Sequence, residues 1–415
     1  MEFYKAKEYI DGLSKYGSEL GLDNIKALLT VLDNPQEKLK VIHVAGTNGK
    51  GSTIAFMGSI LKEAGYKVGK YTSPVVFEYL EKYQINDENI SEEAFAGIAS
   101  KVKMALEQLE KQGIQPTIFE VETAMAFEYF KDEKCDVVIL ETGMGGDMDA
   151  TNVCRKVLAS VLVSISLDHT GFLGDTIEKI AYHKAGIIKE GCPVVVMKQQ
   201  EKVMTVIRKT ATKHNATVYE ADVIDRKIGL AGEWQKYNAG VAVKVMEILV
   251  SDYSFKIDEE HIDEGLAKCK WPGRFEKVLD NPCVIIDGAH NPDAAKRLRE
   301  NIDVEYKDTK FVYIIGVLGD KDFDEVIKTM ADRGEYIVTI TPPNARGLKA
   351  SILKRTVEKY NERVQEAESI GEAYDLAIKK LDGIPGRKAI LAFGSLSYLG
   401  EFKRMCKEKG NGNRE

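Results

Sequence analysis

Eight consecutive residues, Gly46-Thr47-Asn48-Gly49-Lys50-Gly51-Ser52-Thr53, have the types that phosphate chemistry needs. Glycines let backbone N–H groups curl around an anion, and the N-terminus of a following helix adds positive dipole. A lysine in such a loop can reach β- and γ-phosphates, and a Ser or Thr hydroxyl can help to hold Mg²⁺. The spacing departs from G-x-x-x-x-G-K-[ST]: two residues separate Gly46 from Gly49, and Gly51 stands between Lys50 and Ser52. Asn-Gly and Gly-Ser pairs also make ordinary turns. The apolar, β-branched run at 41–45 before the loop and the helix-compatible stretch at 52–64 after it favour nucleotide binding over a plain turn. At the level of motif, an ATPase, a kinase and a ligase all remain open.

Other polar residues stand where strand-like runs end. Glu141 closes the apolar run 136–141, Ser73 follows the run 67–71, and His169 follows the run 157–165. Three such groups near a phosphate loop could converge on Mg²⁺, which takes oxygen ligands by preference. Each also has a structural reading: Glu141 as a loop cap, Ser73 as a turn hydroxyl before Pro74, His169 as a satisfied structural histidine. Lys184 by itself reads as a solvated helix residue. Arg274 follows Trp271-Pro272-Gly273, and its planar, permanently charged fork suits a phosphate, although it could instead pair with Glu276.

Such residues need elements to position them. Continuous apolar runs alternate with helical patterns along the chain, which predicts parallel sheets covered on both faces. Ligands of such sheets bind at the carboxyl ends of the strands. Helices are expected at 201–214, 259–269, 294–301, 323–331 and 351–360, with strands at 193–197, 284–286, 311–315, 336–340 and 389–393. The Pro-Gly break at 271–274 divides the chain into two domains, 1–270 and 275–415, and residues 408–415 read as a frayed tail.

The 415 residues, 44% hydrophobic and 30% charged with a net charge of −7, exclude wholesale disorder and collagen-like structure. The acidic balance, with no Lys/Arg cluster, argues against nucleic-acid binding. No apolar run is long enough for a membrane helix, and the charged N-terminus shows no signal peptide. The six cysteines (135, 154, 192, 269, 283 and 406) show neither CxxC pairs nor zinc spacing, which suits a reducing cytoplasm.

The variant loop Gly-Thr-Asn-Gly-Lys-Gly-Ser resembles that of the Mur ligase superfamily, and especially the folylpolyglutamate synthase/dihydrofolate synthase family. The resemblance extends through Thr72-Ser73-Pro74, Glu141-Thr142-Gly143-Met144-Gly145-Gly146, Asp149-Ala150-Thr151-Asn152 and Asp168-His169-Thr170. It continues in Leu173-Gly174, His183-Lys184-Ala185-Gly186, Trp271-Pro272-Gly273-Arg274-Phe275-Glu276, Asp287-Gly288-Ala289-His290-Asn291-Pro292 and Gly394-Ser395-Leu396. It implies an α/β fold, with a P-loop N-terminal ATPase domain and a smaller Rossmann-like C-terminal α/β domain. It also implies a reaction: ATP phosphorylates a carboxylate, and the amine of L-glutamate displaces phosphate from the acyl phosphate.

Residue by residue, the resemblance gives Lys50, Lys184, Arg274 and His290 catalytic roles. It gives Gly46, Thr47, Asn48, Gly49, Lys50, Gly51, Ser52, Thr53, Asn238, Arg274 and Asp287 to ATP, and Ser73, Glu141, His169 and Lys184 to Mg²⁺ at two sites. Lys184 matches a lysine that is carbamylated in the family, which turns a cation into a metal-binding carboxylate. Phe119, Thr123, Asp149 and Ala150 match the pteroate side. The family often has His-Leu after Ser-Pro and later Glu-Arg, where this chain has Val75-Val76 and Glu81-Lys82.

The expected partners are therefore folate or dihydropteroate and L-glutamate, acting on a monomer with no nucleic acid and no membrane. Glutamate addition to folates alone remains an alternative, as do another Mur-type amino-acid ligase and a non-catalytic ATP-binding module. A cell-wall Mur ligase would need a further domain of about 100 residues ahead of the loop, and only 45 residues precede Gly46.

Overall fold

The computed structural model describes residues 1–16 and 21–412. They form two compact units: Met1–Pro74, Tyr79–Gly229 and Gln235–Cys269 in the first, Val75–Glu78, Leu230–Trp234 and Lys270–Glu415 in the second.

The first unit is built on eight strands: β1 (Val41–Ala45), β2 (Val68–Tyr71), β3 (Tyr83–Ile85), β4 (Glu88–Asn89), β5 (Val137–Glu141), β6 (Ala159–Leu162), β7 (Val194–Met197) and β8 (Val218–Ala221). Their order is β4-β3-β2-β5-β1-β6-β7-β8, parallel except for the β2-β3-β4 edge. Every residue of β1 and β5 is buried, as the apolar runs require of strands covered on both faces.

Register decides what gathers at the carboxyl edge. Val44 lies opposite Glu141, Ala45 opposite Leu162, and Tyr71 opposite Leu140. The chains leaving β1, β2, β5 and β6 therefore emerge side by side, bringing Gly46, Ser73, Glu141 and the 163–169 segment to one end of the sheet. The helix Lys50–Glu63 starts directly after Gly49 and is buried from Gly51 to Leu61. The helix Ile118–Asp132 starts at a capping box: Thr117 N and Oγ1 donate to Glu120 Oε2 at 2.7 and 2.9 Å. The same carboxylate accepts Ile25 N at 3.1 Å through Oε1, which fixes the helix that carries Phe119 and Thr123.

The second unit holds β9 (Glu276–Asp280), β10 (Cys283–Asp287), β11 (Lys310–Ile315), β12 (Gly334–Thr339), β13 (Val364–Glu366) and β14 (Lys388–Phe393), ordered β13-β12-β11-β14-β10-β9. Only β9 runs antiparallel. Asp287 lies opposite Phe393, so the Asp287–Pro292 turn and the Gly394–Leu396 turn leave the same end of two central strands. No helix among the described residues is long and apolar enough to cross a membrane.

Two elements depart from the sequence reading in their extent. The run 157–165 pairs as a strand only over Ala159–Leu162, although Val157, Leu158, Val163 and Ile165 are also buried. The 408–415 tail continues the helix Leu396–Gly412, with Lys409 paired to Asp375, and residues 413–415 lie outside the described residues.

Candidate active site

Gly46 cannot carry a side chain: a Cβ there would stand 2.2 Å from Val163 Cγ2. The loop's outer face is tied to the segment after β6, with Thr47 N on Ser164 O at 2.7 Å and Thr47 Oγ1 accepting from Ser166 N at 3.1 Å. Gly49 adopts a left-handed φ of +94°, and its missing Cβ leaves room for Asn238 Oδ1, 2.4 Å from where that Cβ would be. Asn238 lies in the helix Trp234–Tyr253, donates to Gln235 Oε1 at 2.9 Å, and keeps Oδ1 buried without a partner among the described residues. Thr53 Oγ1 is likewise buried and unpartnered.

Two lysines meet at one carbonyl. Lys50 Nζ donates to Gly46 O at 3.1 Å, and Lys184 Nζ, from the last turn of the helix Ile177–Ala185, donates to the same oxygen at 2.9 Å. Lys184 is buried, so the sequence expectation of a solvated residue gives way to one aimed into the phosphate loop. Glu141 Oε1 stands 3.8 Å from Lys50 Nζ, while Glu141 Oε2 accepts Ser73 N at 3.2 Å. Gly46, Lys50, Ser73, Glu141, Lys184 and Asn238 thus belong to one cluster.

His169 sits on the segment after β6 in a left-handed conformation, φ +50°, with its backbone N–H on Asp168 Oδ1 at 2.8 Å. Among the described residues no group of three or more His, Cys, Asp and Glu side chains forms a ready metal cage.

Phe119, Thr123, Asp149 and Ala150 border this cluster through the loop after β5. The Phe119 ring stacks on Tyr71 at 6.2 Å and packs against Gly143, where a Cβ would stand 2.7 Å from the ring. Thr123 Oγ1 donates to Phe119 O at 2.7 Å and lies 3.3 Å from Tyr71 Oη. Asp149 is buried beside Ala150 and holds the loop, accepting Met144 N at 2.8 Å and Thr151 N and Oγ1 at 3.0 and 2.5 Å. Burial raises its pKa, although these hydrogen bonds oppose the shift.

Two residues given no role in the sequence reading complete this network. Thr151 gives its only hydrogen to Asp149, so its oxygen accepts from His43 Nε2 at 2.8 Å. His43, inside β1, is then the Nε2–H tautomer with Nδ1 bare, and Nδ1 is buried without a partner. Burial, with Lys189 adding to it, lowers its pKa to about 3, so it is neutral. The only sequence signal was a polar residue in an otherwise apolar central strand.

In the second unit the Trp-Pro-Gly-Arg break packs on the turn after β10. Gly288 N donates to Gly273 O at 3.0 Å, and Arg274 Nη1 lies 2.7 Å from where a Gly288 Cβ would be. Asp287 accepts Phe275 N and Ala289 N, both at 2.8 Å, which holds Phe275 at φ +45°. Burial raises the Asp287 pKa, while Arg274 and those N–H groups pull it down. His290 Nδ1 donates to Gly288 O at 2.8 Å, so Nε2 is the nitrogen without the proton in the neutral ring.

A phosphate loop with two convergent lysines, followed by a second α/β unit in which an arginine-bearing break packs on a turn that carries a histidine, defines a class: the Mur-type ligases. Residues 44–260 match the Mur ligase middle domain, and residues 273–396 match the Mur ligase glutamate ligase domain. The dihydrofolate synthase/folylpolyglutamate synthase of Bacillus subtilis (strain 168) is 35% identical, over 98% of this chain and 99% of the relative. The chain belongs to the dihydrofolate synthase/folylpolyglutamate synthase family of ATP-dependent ligases. Folylpolyglutamate synthase of Mycobacterium tuberculosis, complexed with ADP, superimposes with a TM-score of 0.91 at 28% identity, covering 97% of this chain and 99% of that one. E. coli FolC in complex with DHPP and ADP gives 0.86 at 28% identity, with 99% of each chain covered.

Proposed function

We propose that this chain joins L-glutamate to the carboxylate of a folate, and to that of dihydropteroate, at the expense of ATP. The observation that carries the reading is the convergence of Lys50 and buried Lys184 on Gly46 O, with Glu141 beside them. Phosphoryl transfer to a carboxylate gathers negative charge; Lys50 meets it as a fixed cation, and Lys184, once carbamylated, would meet it through a bound metal ion.

In the first step an acceptor carboxylate oxygen attacks the γ-phosphorus and ADP leaves. In the second, the amine of glutamate attacks the acyl carbon, phosphate leaves and the nitrogen gives up a proton. Residues 46–53 cradle the phosphates, with Lys50 on the β- and γ-oxygens. Asn238 and Asp287 serve the nucleotide, and Arg274 clamps the γ-phosphate with its bidentate fork. His290, with Nδ1 committed to Gly288 O, acts through Nε2 beside the acyl phosphate or the incoming amine. Phe119 offers a ring face to the pteroate, with Thr123, Asp149 and Ala150 around it.

The donor set suits magnesium only with help. Glu141 and Ser73 would supply oxygens and His169 a nitrogen, and phosphate oxygens and a carbamylated Lys184 would complete two sites. Bound there, the ions neutralise phosphate charge. Residues 1–270 make the ATP-binding domain and residues 275–415 the glutamate-ligase domain, with Arg274 and Asp287 serving the nucleotide from beyond residue 270, in a cytoplasmic monomer.

The test is phosphate release from MgATP with L-glutamate, comparing dihydropteroate, a reduced folate and no acceptor, with products weighed by mass spectrometry. Release and glutamate addition with both acceptors are expected. Addition to the folate alone removes the dihydropteroate part of the reading. Transfer of phosphate to a stable product without any need for glutamate makes the protein a kinase, and silence with both acceptors despite ATP binding overturns the proposal.

A further inference from the structure

Lys184 owes its aim at Gly46 to a contact between two segments that are distant in sequence. The loop after β5 and the last turn of the helix Ile177–Ala185 approach so closely that neither tolerates a Cβ. One at Gly146 would stand 2.7 Å from His183 O and 2.9 Å from Lys184 O, and one at Gly186 would stand 2.4 Å from Asp147 Cβ. Polar links cross the seam on both sides of Lys184. Asp147 N donates to His183 O at 2.9 Å, and the Asp147 carboxylate takes His183 Nδ1 at 2.9 and 3.0 Å. Asn152 Nδ2 bridges Asp147 O at 3.1 Å and Gly186 O at 3.0 Å.

We infer that Asp147 and His183 are positioning residues for Lys184: they latch the end of its helix to the glycine loop and so hold its amine on the phosphate loop. Neither belongs to the groups assigned above to ATP, metal or acceptor. His183 is 33% and Asp147 29% exposed, and a polar pair so placed contributes little to overall stability. Its effect is geometric. It closes a two-point ring, main chain and side chain, one residue away from Lys184, whose amine donates to Gly46 O. Releasing the ring frees the helix end, where local opening is easiest. This inference rests on Lys184 being a functional group of the proposed ligase, but its test does not need turnover.

The full-length protein in bicarbonate-free buffer is labelled with acetic anhydride, and acetylation at Lys184 is followed by peptide mass spectrometry. Lys50, on the same carbonyl but outside the latch, is the internal reference. In Asp147→Ala and His183→Ala, Lys184 is expected to label about tenfold faster than in the parent, the scale of losing a charge-assisted hydrogen bond. Lys50 should stay unchanged. In His183→Asn, whose amide nitrogen can stand where Nδ1 stands, protection should return.

Should either alanine variant fail to fold, His183→Gln keeps the bulk while moving the donor, and it should label fast as well. Fast labelling in the latch variants with recovery in His183→Asn supports the inference, even if the protein releases no phosphate with any acceptor. Unchanged Lys184 labelling in folded variants overturns it, even if their kcat falls.

Discussion

The buried imidazole of His43 makes a quantitative claim about acid stability. Its pKa is about 3 in the folded chain against an ordinary 6.5, because burial penalises the imidazolium and Lys189 repels it. The unfolded chain therefore binds a proton between those values that the folded chain refuses, and stability is lost as pH falls through this window. At pH 7 almost none of that cost is felt. At pH 5 the unfolded histidine is nearly fully protonated and the folded one is not, a difference of about 2 kcal/mol.

The perturbation is His43→Gln, which keeps an N–H donor for Thr151 Oγ1 and removes the titration. Urea unfolding at pH 7, 6 and 5 is followed by circular dichroism, with peptide hydrogen exchange over residues 41–45 identifying the transition that opens β1. Other groups titrate in both proteins, so the reading is the difference between them. The parent should lose about 2 kcal/mol more than the variant between pH 7 and pH 5. Parallel pH dependences would refute the assignment of His43 as a neutral Nε2–H donor.

Three further outcomes follow from the geometry. Gly49→Ala forces a left-handed residue and sets a Cβ 2.4 Å from Asn238 Oδ1, so ATP affinity measured by titration calorimetry should fall at least about tenfold. Phe119→Ala removes the ring stacked on Tyr71 and should raise the acceptor KM by up to about tenfold, on the scale of one aromatic contact, with the ATP KM nearly unchanged. Arg274→Lys keeps the charge but loses the planar fork, and kcat in the phosphate-release assay should drop by about 100-fold.

What the sequence disclosed is what local chemistry constrains. The phosphate loop was legible because glycines, a lysine and hydroxyls must follow one another there, after a β-branched run that could only be a central strand. Glu141 and Ser73 were legible as polar residues ending apolar runs, and parallel register then brings them to one edge. Strand limits were less so: Val157 and Ile165 are buried but lie in loops, since burial does not require a ladder partner. The short stretches Val75–Glu78 and Leu230–Trp234, which cluster with the second unit, carried no local mark. Their place is set by packing, with Phe77 under Lys403 and the Trp234 ring 4.1 Å from the Arg297 guanidinium.

The polar pairs that support the site were hidden for the same reason. His43 and Thr151 stand 108 positions apart, and Asp147 and His183 stand 36 apart. Within its own segment each of these residues has an ordinary alternative: a histidine tolerated in a strand, an aspartate in a glycine turn, a histidine before a lysine. Only Gly146 and Gly186 hinted at the second pair, because a glycine at the end of a helix and another in a loop can each mark a surface that something approaches. That both are filled by the same contact explains why the glycine loop and the lysine motif work together. The loop gives the space, and the helix end enters it far enough to bring Lys184 to the carbonyl that Lys50 also holds.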